Sequence, residues 1–328
     1  MFQFGILGCG MIASIHADAI GHIENAVLRG VSDMRLEKAQ EFAEKHGTRA
    51  YSSYEEMLAD EEIDAVCICT PSCFHAANAI EALEKGKHVV LEKPMALSCQ
   101  EADGIIAACE RTGRRLTVIC QLRFSDDIQR AKRLIEDGAF GKLSFCGLYM
   151  KYYRSKEYYA SSDWKGSLQF DGGGALMNQG IHGIDLMEYL MGGVEDVQGQ
   201  IATLSHEIEV EDTAVATVKF ENGALGVIVG STCAYPGFER RIEIHGDDGY
   251  VILNENRIAE LMINGNKMPT VSAAASKTAS DPGAVQSDMH RLQIENFIRA
   301  VHGEADLLID CREGKKAIRI IEQIYKRG

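Results

Sequence analysis

The sequence predicts an α/β protein in which a doubly wound parallel sheet precedes a second, α+β domain with a largely antiparallel or mixed sheet. Strand-like and helix-like segments alternate over the first 120 residues, and consecutive strand-like runs then replace that alternation. The length of 328 residues also exceeds what one typical core holds. We therefore expect one domain over residues 1–121 and a second over residues 122–328.

Apolar runs separated by amphipathic segments define the elements of the first domain. Continuous apolar runs are typical of parallel strands that are buried on both faces. After the first strand, at residues 2–7, and a helix that opens within Gly8–Ala13, the predicted elements are a strand at Val27–Ser32, a helix at Arg35–His46, a strand at Ala65–Thr70, a helix at Ala76–Lys85, a strand at His88–Leu91, a helix at Cys99–Arg111 and a strand at Leu116–Cys120.

Alternating apolar positions and a strong hairpin signal, Asn222-Gly223, indicate a sheet with helices on one face in the second domain. We expect the Ser-, Ala- and Thr-rich segment Thr270–Gly283 to form a mobile loop. The predicted elements are a helix at Asp127–Asp137, a strand at Leu143–Tyr153, a helix at Ala175–Met191, strands at Val197–Leu204, Thr213–Phe220, Ala224–Cys233, Arg241–His245 and Tyr250–Leu253, and helices at Val285–His302 and Cys311–Tyr325.

Composition excludes several classes of partner. The chain is 46% hydrophobic and 25% charged, as in ordinary globular proteins, and its net charge of -14 argues against nucleic acid or an anionic membrane as a partner. No signal-peptide pattern stands at the start of the sequence, so we expect a cytoplasmic location. The ten cysteines include no C-x-x-C pair, which favours buried thiols over a metal or disulfide role.

A glycine motif directly follows the first strand. Gly8, Gly10 and Ala13 form G-x-G-x-x-A, which allows a tight turn, close approach of a pyrophosphate and close packing of the helix on the strand. Met11 and Ile12 begin that helix, whose free N–H groups favour phosphate. The motif predicts a Rossmann dinucleotide site.

The next strand carries the acidic residue that this motif requires. Asp33 ends the strand about 20 residues past Ala13, where a carboxylate accepts hydrogen bonds from ribose hydroxyls and repels a 2′-phosphate. We therefore expect NAD as the cofactor. Arg35 lies nearby and keeps NADP possible, since an arginine there can hold the 2′-phosphate.

Two further strand ends carry polar residues. Thr70, Pro71 and His75 follow one strand, and Glu92 and Lys93 precede Pro94 at the end of another. Open α/β sheets bind ligands at the carboxyl ends of their strands, so we expect these residues beside the cofactor. A lysine before proline is held in extended backbone, which aims its side chain.

The second domain contributes its own cluster, a glycine-rich entry to a helix. Asn178 and His182 are four residues apart, and Asp185 follows three later, so an α-helix places all three on one face. We expect them to bind substrate hydroxyls, and Arg123 is a further candidate substrate contact, or else an ion-pair partner of an acid such as Asp126.

Tyrosines and basic residues concentrate just before that helix. Five of the eleven tyrosines lie between Tyr149 and Tyr159, mixed with Arg154 and lysines, and Trp164 follows. Aromatic faces suit the C–H faces of a pyranose ring, and the same composition is typical of an oligomer interface, so both interpretations stand.

Taken together, these motifs resemble the Gfo/Idh/MocA oxidoreductases, to which glucose–fructose oxidoreductase and inositol dehydrogenase belong. The resemblance rests on Gly8–Ala13, on Glu92-Lys93-Pro94 and on Gly172-Gly173-Gly174 with Asn178, His182 and Asp185, and it extends over nearly the whole chain. It implies a Rossmann domain, an open-faced sheet domain through which homodimers or homotetramers form, and hydride transfer between NAD(P) and a sugar, polyol or glycoside hydroxyl.

The resemblance also implies the catalytic residues. The family's lysine maps onto Lys93 and its histidine onto His182, and we expect the two to meet on one carbinol carbon. Either residue could be the general base, His182 with a cationic Lys93, or Lys93 if desolvation lowers its pKa. Several polyol dehydrogenases of the family have aspartate where this chain has Asn178, and an amide cannot accept a proton.

Two other functions remain open at this point. Some relatives use tightly held NAD for transient oxidation and elimination of a glycosidic substituent, which yields no net NADH. Others bind nucleotide without catalysis and act through protein partners.

Overall fold

The first half of the chain folds as an alternating α/β unit. In the computed structural model, which describes residues 1–162, 164–270 and 287–327, this part contains β1 (Phe2–Leu7), α1 (Met11–Gly21), β2 (Ala26–Ser32), α2 (Leu36–His46), β3 (Arg49–Ala50), α3 (Tyr54–Ala59), β4 (Ala65–Ile68), α4 (His75–Glu84), β5 (His88–Leu91), α5 (Cys99–Thr112) and β6 (Leu116–Val118).

The second half contains α6 (Asp126–Glu136), β7 (Leu143–Lys151), α7 (Lys156–Ala160), α8 (Leu168–Asp171), a π-helix (Ala175–Gly180), α9 (Ile181–Met191), β8 (Val194–Ala202), β9 (Thr213–Phe220), β10 (Leu225–Ser231), β11 (Arg241–Gly246), β12 (Gly249–Asn254), β13 (Arg257–Ile263) and β14 (Asn266–Lys267). Two helices follow, α10 (Asp288–Val301) and α11 (Cys311–Arg327).

The chain divides into two compact units. The first unit comprises Met1–Gln121 and Val285–Lys315, and the second comprises Leu122–Ala284 and Lys316–Gly328. From the sequence we expect all residues after 121 in the second domain, and the segment Val285–Lys315 corrects that division. The predicted loop Thr270–Gly283 lies, apart from Thr270, outside the described residues.

A six-stranded parallel sheet forms the centre of the first unit. Its strand order is β3-β2-β1-β4-β5-β6, which places β1 beside β4 at the point where the chain reverses direction along the sheet. β4 and β5 are buried along their whole length, apart from a half-buried His88, as the apolar runs predict. Ligands of such sheets bind at this reversal, outside the carboxyl ends of the strands.

α10 completes the core of the first unit. Ile294, Phe297 and Ile298 are buried in one apolar cluster with Phe2 and Phe4 of β1. This packing gives the physical reason for the corrected division, because α10 buries its apolar face on the parallel sheet.

An eight-stranded sheet forms the second unit, in the order β14-β13-β12-β11-β7-β10-β9-β8. β7 and β10 pair in parallel and the other neighbours are antiparallel, so the sheet is mixed and largely antiparallel. Burial alternates along β9, which shows one covered and one exposed face. The predicted fold class is thereby confirmed.

None of the helices within the described residues combines the length and apolar character needed to cross a bilayer.

Candidate active site

The turn between β1 and α1 is built for close backbone approach. Gly8 has a φ of +90°, and a Cβ there would lie 2.8 Å from the carbonyl oxygen of Cys69, so the turn requires glycine. A Cβ on Gly10 would meet nothing within 4 Å. Gly10 is the N-cap of α1, and no side chain caps this helix end. Met11, largely exposed, and half-buried Ile12 begin the helix. The helix end thus offers backbone N–H groups to an anion.

Asp33 is held in place by backbone. One carboxylate oxygen accepts the N–H of Cys9 at 2.8 Å, and the other accepts the N–H of Arg35 at 2.9 Å. The carboxylate therefore lies beside the glycine turn with a fixed orientation, as a ribose-binding acid requires. The arrangement of Gly8, Gly10 and Asp33 fits a dinucleotide, with pyrophosphate at the helix end and ribose hydroxyls at the carboxylate.

His75 braces two strand ends. It is buried, and its ring nitrogens lie 2.6 Å from the carbonyl oxygen of Pro94 and 2.9 Å from that of Thr70. Thr70 also accepts a hydrogen bond at its hydroxyl from Asn78. Both ring nitrogens of His75 thus lie beside backbone carbonyls of the turns at Thr70-Pro71 and Lys93-Pro94, and its contact with the cofactor remains a prediction.

Glu92 points into the first unit. Its carboxylate lies 2.7 Å from His16 Nε2 and 3.8 Å from His290 Nε2, and all three side chains are buried. Burial opposes ionisation of Glu92, and the two imidazoles more than offset it, so the pKa of Glu92 lies well below its usual range. Glu92 thus anchors the end of β5 inside the first unit, and its predicted contact with the cofactor remains a prediction.

Lys93 directly follows this anchor. Its backbone N–H donates to Glu92 Oε2 at 3.3 Å, its side chain is half-buried, and the Lys93-Pro94 peptide bond is cis. Sequence reasoning missed His16 and His290, because a lone histidine on an amphipathic helix carries no signal of its partner.

The glycine-rich entry to α9 is organised by Glu211, which sequence reasoning noted only as part of the family resemblance. Its carboxylate accepts the N–H groups of Gly174 and Leu176, each at 2.8 Å, and the hydroxyl of Tyr325 at 2.8 Å. A Cβ on Gly174 would lie 1.9 Å from the carbonyl oxygen of Glu211. The glycine allows this approach, and the carboxylate satisfies N–H groups at the helix start.

Asn178 and His182 do not share one regular α-helix. Residues 175–180 form a π-helix and α9 begins at Ile181, whereas the sequence predicted one α-helix from Ala175. The N–H of Gln179 donates to the carbonyl of Gly174, five residues back, which widens the turn. Asn178 and His182 are both half-buried, and π-turns are frequent at functional sites.

Arg123 and Asp185 pair with each other in the second unit. Arg123 Nε and Nη2 donate to the two carboxylate oxygens at 3.0 and 2.7 Å, and both side chains are almost fully buried. The guanidinium also lies over the ring of Tyr189. Arg123 therefore forms an ion pair with Asp185, and Glu188 Oε2 lies 4.0 Å from Arg123 Nη2. Their predicted substrate contacts remain a prediction.

The tyrosine-rich segment surrounds a buried arginine. Arg154 donates to Gln179 Oε1 at 2.8 Å through Nη2, and Gln179 Nε2 donates to the hydroxyl of Tyr158 at 3.0 Å. Arg154 is thus held inside the second unit, while Trp164 is partly exposed. Gln179 was not a predicted site residue.

Lys93 belongs to the first unit and His182 to the second. That the two act on the same carbon remains a prediction.

Comparisons with known proteins show which protein family this chain resembles. Residues 2–120 match the model described as "Oxidoreductase family, NAD-binding Rossmann fold", and residues 128–252 match the GFO/IDH/MocA C-terminal domain. Myo-inositol 2-dehydrogenase of Thermotoga maritima is 30% identical over 265 residues, which cover 78% of this chain and 76% of that protein. The uncharacterized oxidoreductase YrbE of Bacillus subtilis is 31% identical over 77% of this chain and 74% of its own length.

A solved structure matches nearly the whole chain. This structure is the WlbA dehydrogenase from Bordetella pertussis in complex with NADH and UDP-GlcNAcA, which is 35% identical to this chain with a TM-score of 0.88. The match covers 99% of this chain and 96% of that one. The predicted family and the predicted NAD cofactor are confirmed by these matches. This chain belongs to the Gfo/Idh/MocA family of NAD-binding oxidoreductases.

Proposed function

We propose that this chain oxidises a secondary hydroxyl of a UDP-linked sugar to a ketone, or runs the reverse reaction. The observation that supports the substrate class is the 35% identity, over 99% of the chain, to a dehydrogenase solved with NADH and UDP-GlcNAcA. Similarity to myo-inositol 2-dehydrogenase is lower, at 30% over 78% of the chain. A sugar substrate agrees with both relatives, and the nucleotide-linked class follows the more similar one.

We assign the chemistry to two residues. His182 accepts the hydroxyl proton, and Lys93, as a cation, stabilises the alkoxide that develops as the carbonyl forms. Bound NAD⁺ supplies the hydride acceptor. Glu92 supports this assignment for Lys93, because the buried carboxylate fixes the strand end from which the lysine side chain projects. Asn178 and Asp185 are proposed substrate contacts, together with Arg123.

The cofactor contacts follow the geometry of the first unit. Gly8, Gly10, Met11 and Ile12 hold the pyrophosphate at the start of α1, and Asp33 accepts the ribose hydroxyls. Thr70 and Pro71 line the same edge, since they follow β4 next to β1.

A substrate panel tests this function. The purified chain is mixed with NAD⁺ and, in separate reactions, with UDP-GlcNAcA, myo-inositol and glucose 6-phosphate, and NADH absorbance is followed. We expect the highest kcat/KM with UDP-GlcNAcA. Oxidation of myo-inositol with no turnover of UDP-GlcNAcA would reject the substrate class, and cleavage of a glycoside without net NADH would reject the reaction.

We also propose that copies of this chain assemble through the exposed sheet face and act in the cytoplasm. Val215 and Leu225, on neighbouring strands of that face, are 51% and 60% exposed. Exposed apolar residues on one sheet face favour a protein partner. No disulfide links any of the ten cysteines, all of which lie within the described residues, and this agrees with a reducing compartment.

A further inference from the structure

A cluster of three metal-ligating side chains lies in the second unit, apart from the proposed catalytic residues in sequence. His206 follows β8, Asp212 immediately precedes β9 and Cys233 follows β10. His206 Nδ1 lies 3.2 Å from Asp212 Oδ2 and 3.6 Å from Cys233 Sγ. All three ligand atoms lie within 4.8 Å of one another. The sequence predicted no metal role, because it contains no C-x-x-C pair and no cysteine pair at zinc-finger spacing to histidines.

These spacings match a tetrahedral ion. Zinc binds nitrogen and oxygen at about 2.0–2.1 Å and sulfur at about 2.3 Å. At tetrahedral angles those bonds separate nitrogen from oxygen by about 3.3 Å and nitrogen from sulfur by about 3.6 Å. The distances from Nδ1 agree with both values, and Oδ2 and Sγ lie within 4.8 Å of each other.

The surroundings of the histidine also suit a metal ligand. His206 Nε2 lies 2.9 Å from the carbonyl oxygen of Arg154, an atom that only accepts, so Nε2 carries a hydrogen. Histidines that bind metal usually donate their other N–H in this way, which fixes the ring and directs the free lone pair at the ion. The ring of Tyr159 packs against the imidazole at 4.7 Å between centroids and adds to its orientation.

The carboxylate is held in place by backbone. Asp212 Oδ1 accepts the N–H of Leu204, and Oδ2 accepts those of Ser205 and His206. Ligating carboxylates in metal sites are hydrogen-bonded in the same way. The carboxylate is therefore oriented before an ion binds.

The orientation of the ring leaves one nitrogen for an ion. With Nε2 donating to the Arg154 carbonyl, the Nδ1 lone pair faces Asp212 Oδ2 at 3.2 Å and the Cys233 sulfur at 3.6 Å. The sulfur also lies 3.8 Å from the carbonyl oxygen of Asp212. As a thiolate it is a soft ligand of the kind that suits zinc.

We propose that His206 Nδ1, Asp212 Oδ2 and Cys233 Sγ bind one zinc ion, with water as the fourth ligand. On binding, the S–H bond of Cys233 breaks, its proton passes to solvent and a zinc–sulfur bond forms, with no change of oxidation state. The ion would link the loop after β8, which contains the exposed Leu204, to the segment that follows β10.

The test uses the tag-free, chelator-treated full chain under a reducing agent other than a thiol. Co²⁺ is titrated first, and a sulfur-to-cobalt charge-transfer band in the near ultraviolet reports a thiolate ligand. Zn²⁺ then displaces cobalt, which gives the zinc affinity. We expect one ion per chain and an affinity that rises with pH, because the thiol proton must leave.

Two cysteine variants make the test specific. Cys233→Ser should abolish the charge-transfer band and weaken zinc binding by more than about tenfold, the lower end of the loss caused by changes around metal sites. Cys99→Ser, at the start of α5 in the first unit, should leave both unchanged. Circular dichroism confirms that each variant is folded.

Two results would overturn the proposal. One is the absence of a 1:1 site in the native chain, and the other is equal zinc affinity in the native chain and Cys233→Ser. Either result would show that these three side chains do not form a zinc site.

Discussion

Asp33 shows how one carboxylate is set in place by the backbone around it. Its two oxygens accept N–H groups from residues on either side, Cys9 in the glycine turn and Arg35 at the start of α2. The side chain is therefore oriented without a cofactor. Preorganisation of this kind favours the ribose hydroxyls of NAD and opposes a 2′-phosphate.

Replacing Asp33 with serine should change cofactor preference. The variant loses charge-assisted hydrogen bonds, worth about 1.5–3 kcal/mol each, so NADH affinity should fall about tenfold or more. NADPH binding should improve relative to NADH because the repulsion is gone. Titrations followed by the fluorescence of each reduced cofactor measure both. An unchanged ratio of the two affinities would show that Asp33 does not set the preference.

Single residues were predictable in position but less so in role. The glycine motif located Gly8, Gly10 and Asp33, because their function depends on local backbone. The roles of His75 and Glu92 depend on partners distant in sequence, Pro94 for one and His16 for the other. Local pattern cannot supply such partners.

At the scale of elements, the entry to α9 depends on the close approach of one glycine to a neighbouring segment of the same polypeptide. Gly174→Ala would place a methyl group 1.9 Å from the carbonyl oxygen of Glu211, and neither backbone can move freely. We expect a loss of about 1–3 kcal/mol in the free energy of unfolding, as for other overpacked sites. Urea unfolding measures it.

Gly21→Ala serves as the matched control for that substitution. A Cβ at Gly21, the last residue of α1, meets nothing within 4 Å. Its stability should be unchanged or slightly raised. Equal stability of the two variants would show that the close approach at Gly174 does not matter.

The anchor of β5 through Glu92 makes stability depend on pH. The folded-state pKa of Glu92 is lowered, so its contribution is present above the unfolded value of about 4.3 and disappears as the pH falls through the folded value. Burial lowers the pKa of His16 below about 6.5, so acidification below that value also favours unfolding. Both groups therefore lower the free energy of unfolding as the pH falls.

The Tm difference between the native chain and Glu92→Gln should therefore be largest near pH 7 and shrink below about pH 4. Glu84→Gln, whose carboxylate is exposed and pairs with Arg111, should show no such trend. Calorimetry over this pH range measures the Tm of each variant and of the native chain. A constant difference for Glu92→Gln would mean that the pKa of Glu92 is the same in the folded and unfolded states.

Element types were predicted better than their ends and irregularities. Residues 175–180 form a π-helix where the sequence predicted an α-helix. The spacing of apolar residues does not show whether each backbone N–H donates to the carbonyl four or five residues earlier. β13 and the short strands β3 and β14 were missed, since two-residue strands have no periodicity and the pattern of Arg257–Ile263 was not recognised.

At the scale of the whole molecule, the exposed face of the eight-stranded sheet sets the expected assembly. Val215→Lys adds a charge where a second copy is proposed to pack, so the complex should dissociate. Light scattering after gel filtration should give the native chain at least twice its own mass and the variant a smaller mass. Met34→Lys, on an almost fully exposed residue of the first unit, should behave like the native chain. A native chain with the mass of a single copy would reject the assembly.

The chain length and the change from alternating strands and helices to consecutive strands predicted two units. They did not predict that Val285–Lys315 belongs to the first unit. α10 lies more than 160 residues after β6 along the chain, yet Gln293 donates to Thr117 and to the carbonyl of Val118. Local sequence gives no sign of that return.

The most direct test is a double-mutant cycle on Lys93→Met and His182→Asn, measured as the rate of bound NAD⁺ reduction in a single turnover. If both residues act on one hydroxyl, His182→Asn alone should slow reduction by about 10²–10⁴-fold with NADH affinity unchanged. The double variant should then be no slower than the slower single variant by more than a small factor, because groups that act as a unit are not additive. Losses that multiply, or near-native reduction in either single variant, would contradict the account.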